Sequence, residues 1–143
     1  MRSQDESPKK EKAPRLSYQA DPIRASLEVL GRKWAFLILR DIAFLRLDRF
    51  GHIRRNNPGL TARVLSRRLR QMTKEGLLTR ERKGDKIQYH LTGKGEDAIY
   101  ILLALLRYGI RHHMDKHDSL DTGEVMKELQ YSSPFEPRMR DKY

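Results

Sequence analysis

The chain has 143 residues, 38% of them hydrophobic, and carries 30 Lys/Arg against 19 Asp/Glu for a net charge of +11. That length accommodates one core with tails. The absence of cysteine excludes disulfides, thiolate zinc sites and thiol redox sensing within the chain.

In chain order, residues 1–20 are polar, charged and broken by Pro8 and Pro14, and read as a flexible basic arm. Asp21-Pro22 is an N-cap followed by proline at the first helical position, and Ile23, Leu27 and Leu30 repeat at helical spacing before Gly31. A second helix is predicted from about Lys33 to Leu45, with Trp34, Leu37, Ile38 and Ile42 as its buried stripe. Asp48 can cap a short helix from Phe50 to Arg55, and Asn56-Asn57-Pro58-Gly59 is a turn.

Thr61 then caps a helix that ends at Glu75-Gly76. At about 100° per residue, Arg63, Ser66, Arg67, Arg70 and Lys74 share one face of it, and Leu65, Leu69 and Met72 occupy the opposite face. Leu78 to Arg82 and Ile87 to Leu91 flank Lys83-Gly84-Asp85-Lys86 as a β-hairpin, in which Ile87, Tyr89 and Leu91 alternate with polar residues. Thr92 opens a long helix to about Met114, apolar on nearly every side from Ile99 to Leu106. Such a helix must be covered all round. A second copy of the chain is the expected cover, with Ile23, Leu27, Ile99, Leu102, Leu103, Leu106 and Ile110 at the dimer interface. The alternative cover is the first helix and the C-terminal segment of the same chain. Asp121-Thr-Gly-Glu124 resembles a capping box before a short helix carrying Val125, Met126 and Leu129, and the chain looks frayed after Pro134.

Charge locates the partner. Arg49 to Lys86 holds twelve Lys/Arg against three acids, so nine of the eleven net positive charges fall in that stretch. Solvated helix faces can account for a high net charge but not for its concentration. A polyanion is the natural partner, because each neutralised phosphate releases condensed counterions. Helix, short helix, turn, basic helix and hairpin is the order of a winged helix-turn-helix, a mainly α fold with a small β-hairpin wing. Double-stranded DNA is therefore the expected ligand. Arg63 and Arg67 are expected to read bases, since guanidinium forks match guanine O6 and N7. Ser66, Arg70 and Lys74 are expected at phosphates, and Arg54, Arg55 and Thr61 complete the DNA-binding set on that side. Arg68 points between the two faces and packs or pairs within the protein. At the hairpin tip Arg82, Lys83 and Lys86 can straddle a backbone or enter a minor groove; as an alternative they form a solvated turn.

Asp21-Pro-Ile-Arg-Ala-Ser-Leu-Glu-Val-Leu-Gly31 with Lys33-Trp34, then Leu37-Ile-Leu-Arg-Asp41, Arg49-Phe-Gly-His-Ile-Arg54, Pro58-Gly-Leu, Leu65 to Leu69 and Glu75-Gly-Leu-Leu-Thr79 resembles the HxlR-type winged helix-turn-helix regulators. The resemblance runs over about ninety residues, from Asp21 to Met114. It implies a dimeric transcription regulator joined through its first and last helices. Many members carry a reactive cysteine just before the Pro-Ile/Val pair; the position here is Asp21, so that sensing mode is not implied. The wing is also shorter than the proline-containing one usual in the family.

No other chemistry is indicated. His112, His113, Asp115, His117 and Asp118 cluster at the end of the long helix, with His113 and His117 at metal-ligand spacing, but the helix dipole accounts for histidines there and no metal or cofactor is assigned. A catalytic role is not expected: there is no cysteine nucleophile, phosphate-binding loop or paired-carboxylate motif, and Gly93-Lys-Gly95 is too short for a P-loop. The longest apolar run, Ala98 to Leu106, is nine residues, about half of what a helix needs to cross a bilayer. The first residues hold no apolar signal-peptide core. A cytoplasmic, nucleoid-associated protein with no membrane partner follows as the expectation. The organisation expected is an arm over 1–20, a winged helix-turn-helix domain with dimerisation helices over 21–114 and an extension over 115–143. The reading is a homodimeric regulator that recognises an inverted repeat, with a weakly selective DNA-coating protein as the alternative and a protein-interaction adaptor as a third. Any effector is expected to be a small molecule in the groove between the dimer helices and the DNA-binding domain, or a partner protein.

Overall fold

The computed structural model describes Ser17, residues 19–114 and residues 121–129. Most of the basic arm, the segment around Asp115, His117 and Asp118, and the end beyond Pro134 lie outside the described residues. Eight elements follow one another as α1 (Pro22–Leu30), α2 (Ala35–Ala43), α3 (Phe50–Asn56), α4 (Ala62–Lys74), β1 (Leu78–Lys83), β2 (Lys86–Leu91), α5 (Gly93–His113) and α6 (Thr122–Glu128). The architecture is mainly helical with one antiparallel two-stranded hairpin.

Helix α1 starts where its cap allows: Asp21 Oδ1 accepts from the Ile23 backbone N–H at 2.9 Å, and Pro22 needs no partner for an N–H it lacks. Helix α2 begins two residues later than predicted, because Trp34 takes a left-handed φ of 79° and cannot belong to the helix. Its buried side is Ala35, Ile38, Leu39, Asp41 and Ile42. Leu37, expected in that stripe, is 38% exposed, since at about 100° per residue it falls on the side opposite Ala35, Leu39 and Ile42. Arg46, also left-handed at φ 53°, closes the C-terminal end of α2, and Leu47 N–H donates to Asp41 O at 2.8 Å.

Asp48 is not the cap of α3. Arg49 stands at that position and offers no side-chain bond, whereas the Asp48 carbonyl accepts from Tyr89 N–H at 2.9 Å and so ties β2 to the chain before α3. Thr61 caps α4 as predicted, Oγ1 accepting from Val64 N–H at 3.2 Å. Gly76, at φ 79°, ends it. The hairpin pairs Leu78 with Leu91, Arg80 with Tyr89 and Lys83 with Lys86, so the turn proper is the two residues Gly84-Asp85.

Helix α5 is clamped to the end of α4. Thr92 Oγ1 accepts from Gly95 N–H at 3.0 Å and its hydroxyl donates to the Gly76 carbonyl, while Lys94 Nζ donates to the Glu75 carbonyl at 2.7 Å. The core gathers Ile38, Leu39, Ile53, Leu65, Leu69, Met72, Leu78, Ile99 and Leu103, all fully buried, from α2, α3, α4, β1 and α5, and β2 adds Tyr89.

The expectation for α5 needs a correction. Ile99, Leu102 and Leu103 are buried within the chain itself, so they hold α5 onto the core and present no apolar surface to a partner. Leu106 and Ile110 are half-buried. The exposed apolar residues of α5 are instead Ile101, Leu105 and Tyr108, and on α1 they are Ile23 and Leu27. Helix α6, capped by Asp121 through the Glu124 N–H at 2.9 Å, lies against α5. Among the described residues no helix is long and apolar enough to cross a membrane.

Candidate nucleic-acid interface

Helix α4 carries five Lys/Arg and no acid, and packing decides which way it points. Leu65, Leu69 and Met72 are fully buried, which leaves Arg63, Arg67, Arg70 and Lys74 exposed along the opposite side. Thr61 is exposed at the start of the helix, Ser66 is half-buried, and Arg54 and Arg55 are exposed on α3. Arg55 Nε donates back to the Gly51 carbonyl at 3.2 Å.

Arg68 serves the fold. Its Nε donates to the Lys33 carbonyl at 2.9 Å and its Nη1 to Gln71 Oε1 at 2.7 Å, so it staples α4 to the turn before α2. Burial lowers its guanidinium pKa below the ordinary value, and the positive charges of Arg32 and Arg67 lower it further.

A buried polar network, not anticipated from the sequence, ties α2 to the end of α3 and the turn that follows it. Asp41 is fully buried on α2. Arg40 Nε and Nη2 donate to its Oδ1 at 3.0 and 2.8 Å, Asn56 Nδ2 donates to Oδ1 at 3.0 Å, and Asn57 Nδ2 donates to Oδ2 at 2.7 Å. Arg40 Nη2 also donates to Asn57 Oδ1 at 3.0 Å. A buried carboxylate is tolerable when its lone pairs are filled in this way, and here they are filled by the residues that end α3 and open the turn to α4. The only signal in the sequence was a lone acid inside the apolar stretch from Leu37 to Ile42.

Between α4 and the hairpin runs a cleft of about 500 Å³, walled by Ser66, Arg70, Thr73 and Lys74 on one side and by Arg80 and Tyr89 on the other. At the hairpin tip Arg82, Lys83 and Lys86 are exposed, but Lys83 Nζ lies 3.7 Å from Glu81 Oε1, and Glu81 Oε2 lies 2.9 Å from His90 Nε2. A second cavity, about 260 Å³, sits between α1, the end of α4 and α5, lined by Val29, Leu30, Leu77, Ala98 and Ile101 among others. At the far end of α5 the Tyr108 ring lies 4.7 Å from His112 and 5.6 Å from His113, centroid to centroid. Among the described residues no group of His, Cys, Asp or Glu could hold a metal ion.

A cationic helix seated by an apolar stripe, preceded by a short helix and a pinned turn and followed by a two-stranded wing, is the arrangement of a winged helix-turn-helix. Residues 29–117 match the HxlR-like helix-turn-helix family. The chain belongs to that family. An HTH-type transcriptional regulator of Mycobacterium bovis is 33% identical over 95 residues, which cover 64% of this chain and 59% of the relative. One from Methanothermobacter thermautotrophicus is 36% identical over 90 residues, covering 61% of this chain and 68% of the relative. Among solved structures, a possible HxlR family transcriptional factor from Thermoplasma volcanium superposes with a TM-score of 0.54 at 35% identity, covering 62% of this chain and 81% of that one. The redox regulator HypR in its oxidized form superposes with a TM-score of 0.59 at 28% identity, covering 66% of this chain and 99% of that one. The match therefore spans less than two thirds of the Mycobacterium bovis relative. The Mycobacterium bovis and Methanothermobacter thermautotrophicus relatives are named as HTH-type transcriptional regulators, not as enzymes.

Proposed function

We propose that the protein is a homodimeric transcription regulator that reads an inverted repeat in double-stranded DNA by placing α4 of each copy in successive major grooves. The observation that carries this reading is the exposed row Arg63, Arg67, Arg70 and Lys74 on a helix whose other side is anchored in the core. Arg63 and Arg67, nearer the N-terminus of α4, are the base readers; Arg70, Lys74, Ser66, Thr61, Arg54 and Arg55 hold the backbone. Residues 21–114 are the functional unit, flanked by the arm and the extension.

The dimer rests on apolar surface that the single chain leaves in water: Ile23 at 64% and Leu27 at 54% exposure on α1, with Ile101, Leu105 and Tyr108 on α5. These two helices face one another across one cavity. Apolar residues left exposed on both helices favour association, and the half-buried Leu106 and Ile110 of α5 add to them. An effector, where one acts, would enter the α1–α5 cavity or dock as a partner protein.

Selection of bound sites from a pool of random duplexes tests the reading. The expected result is an enriched inverted repeat with half-sites about 10 base pairs apart, or a multiple of that spacing. A pool that emerges unenriched, while binding remains strong, would replace it with the DNA-coating protein.

A further inference from the structure

We infer that the hairpin's main phosphate contact is Arg80 at its base, not the cations at its tip, and that a phosphodiester strand runs in the cleft between α4 and β1. The inference rests on the proposal that α4 enters DNA, and it adds a residue and a path to that proposal.

Strand geometry puts Arg80 on the same face of β1 as the buried Leu78, opposite the buried Tyr89. Arg80 thus leaves the core at the point where the hairpin meets α4. There it faces Arg70 and Lys74, with the Ser66 hydroxyl as a further donor. The Thr73 hydroxyl is engaged, donating to the Leu69 carbonyl at 2.7 Å. Three cations line this cleft and no carboxylate does. A concave surface of one sign, backed by apolar side chains such as Leu69, concentrates its potential and suits a backbone that carries a charge on every phosphate.

The tip has the opposite character. From Glu81 to Lys86 three cations share six residues with two carboxylates, Glu81 and Asp85. Lys83 leans toward Glu81 at 3.7 Å, and Glu81 is itself held by His90. An exposed pair of this kind has little strength of its own, but its carboxylate repels an approaching phosphate. The base of the wing therefore offers an undivided positive field and the tip a divided one.

The test uses the full chain and a random-sequence duplex of about 30 base pairs, with affinity followed by anisotropy from about 50 to 200 mM salt. For Arg80→Ala and Arg80→Gln the slope of log K against log salt should become shallower by about 0.9, one phosphate contact. Arg80→Lys should restore it, and Lys83→Ala and Lys127→Ala should leave it unchanged. Thermal melts of Arg80→Ala should match the parent, since the side chain is exposed. A slope unchanged in Arg80→Ala, or lost in Lys83→Ala instead, overturns the inference while leaving the DNA reading standing. A parent protein with no salt-dependent affinity for duplex DNA would end both.

Discussion

Asn57 donates its side-chain amide to Asp41 Oδ2 at 2.7 Å, and through that bond the turn that launches α4 is locked to α2. The same amide donates to the Ile53 carbonyl at 2.8 Å, so one buried side chain closes the end of α3 and meets a buried charge. Asn57→Ala should cost about 1–3 kcal/mol, the penalty for leaving a buried acceptor short of a partner. Urea unfolding followed by circular dichroism measures it as a lower midpoint at constant slope. A midpoint matching the parent's would mean that Arg40 and Asn56 satisfy Asp41 unaided.

Arg63→Ala or Arg67→Ala should lose about 1–3 kcal/mol of discrimination at one position of each half-site, whereas Lys74→Ala should weaken every sequence alike. Competition between the selected site and single-base variants of it separates the two patterns. Equal weakening across all sequences by all three substitutions would remove base readout from α4.

Burial divides the apolar residues of α5 into two sets with different outcomes. Leu105→Glu or Ile101→Glu places a charge on exposed surface and should yield folded monomers. Leu103→Glu places one in the core and should prevent folding, because an unpaired buried charge has no compensating partner. Sedimentation with circular dichroism distinguishes these results. A parent protein that sediments as a monomer at micromolar concentration would end the two-fold operator proposal.

Gly95, in the first turn of α5, packs against the backbone of Leu77 in the turn between α4 and β1. A Cβ at this position would overlap the Leu77 carbonyl oxygen, which belongs to the backbone and cannot swing away. Gly95→Ala should therefore destabilise the protein by about 1–3 kcal/mol, although alanine is the better helix former. A thermal melt checks the sign, and a higher melting temperature would show that the Leu77 backbone yields.

With no cysteine in the chain, diamide should leave DNA binding unchanged in a gel-shift titration. Asp21 caps α1, so Asp21→Ala should lower stability by about 0.5–2 kcal/mol. Release of DNA by diamide with the methionines intact would contradict the first expectation. Lost affinity in Asp21→Ala at unchanged thermal stability would give this aspartate a role beyond capping.

The sequence by itself determined the elements and the direction of the cationic helix. Caps at Asp21, Thr61, Thr92 and Asp121, a hairpin turn within Lys83 to Lys86 and the spacing of Leu65, Leu69 and Met72 are local signals, set by bonds and periodicities within a few residues. Tertiary structure decided what covers each apolar face and where isolated polar residues find partners. Ile99 and Ile101 stand two residues apart in one apolar run, yet the first is buried and the second exposed, because periodicity marks a side as apolar without saying what lies against it. Asp41 reads as a flaw in an apolar stripe until Asn57, sixteen residues on, is folded beside it. Arg80 is one of many arginines until the hairpin sets it across a cleft from α4. Each of these depends on residues distant in the chain meeting at one place, and only the closed core fixes that meeting.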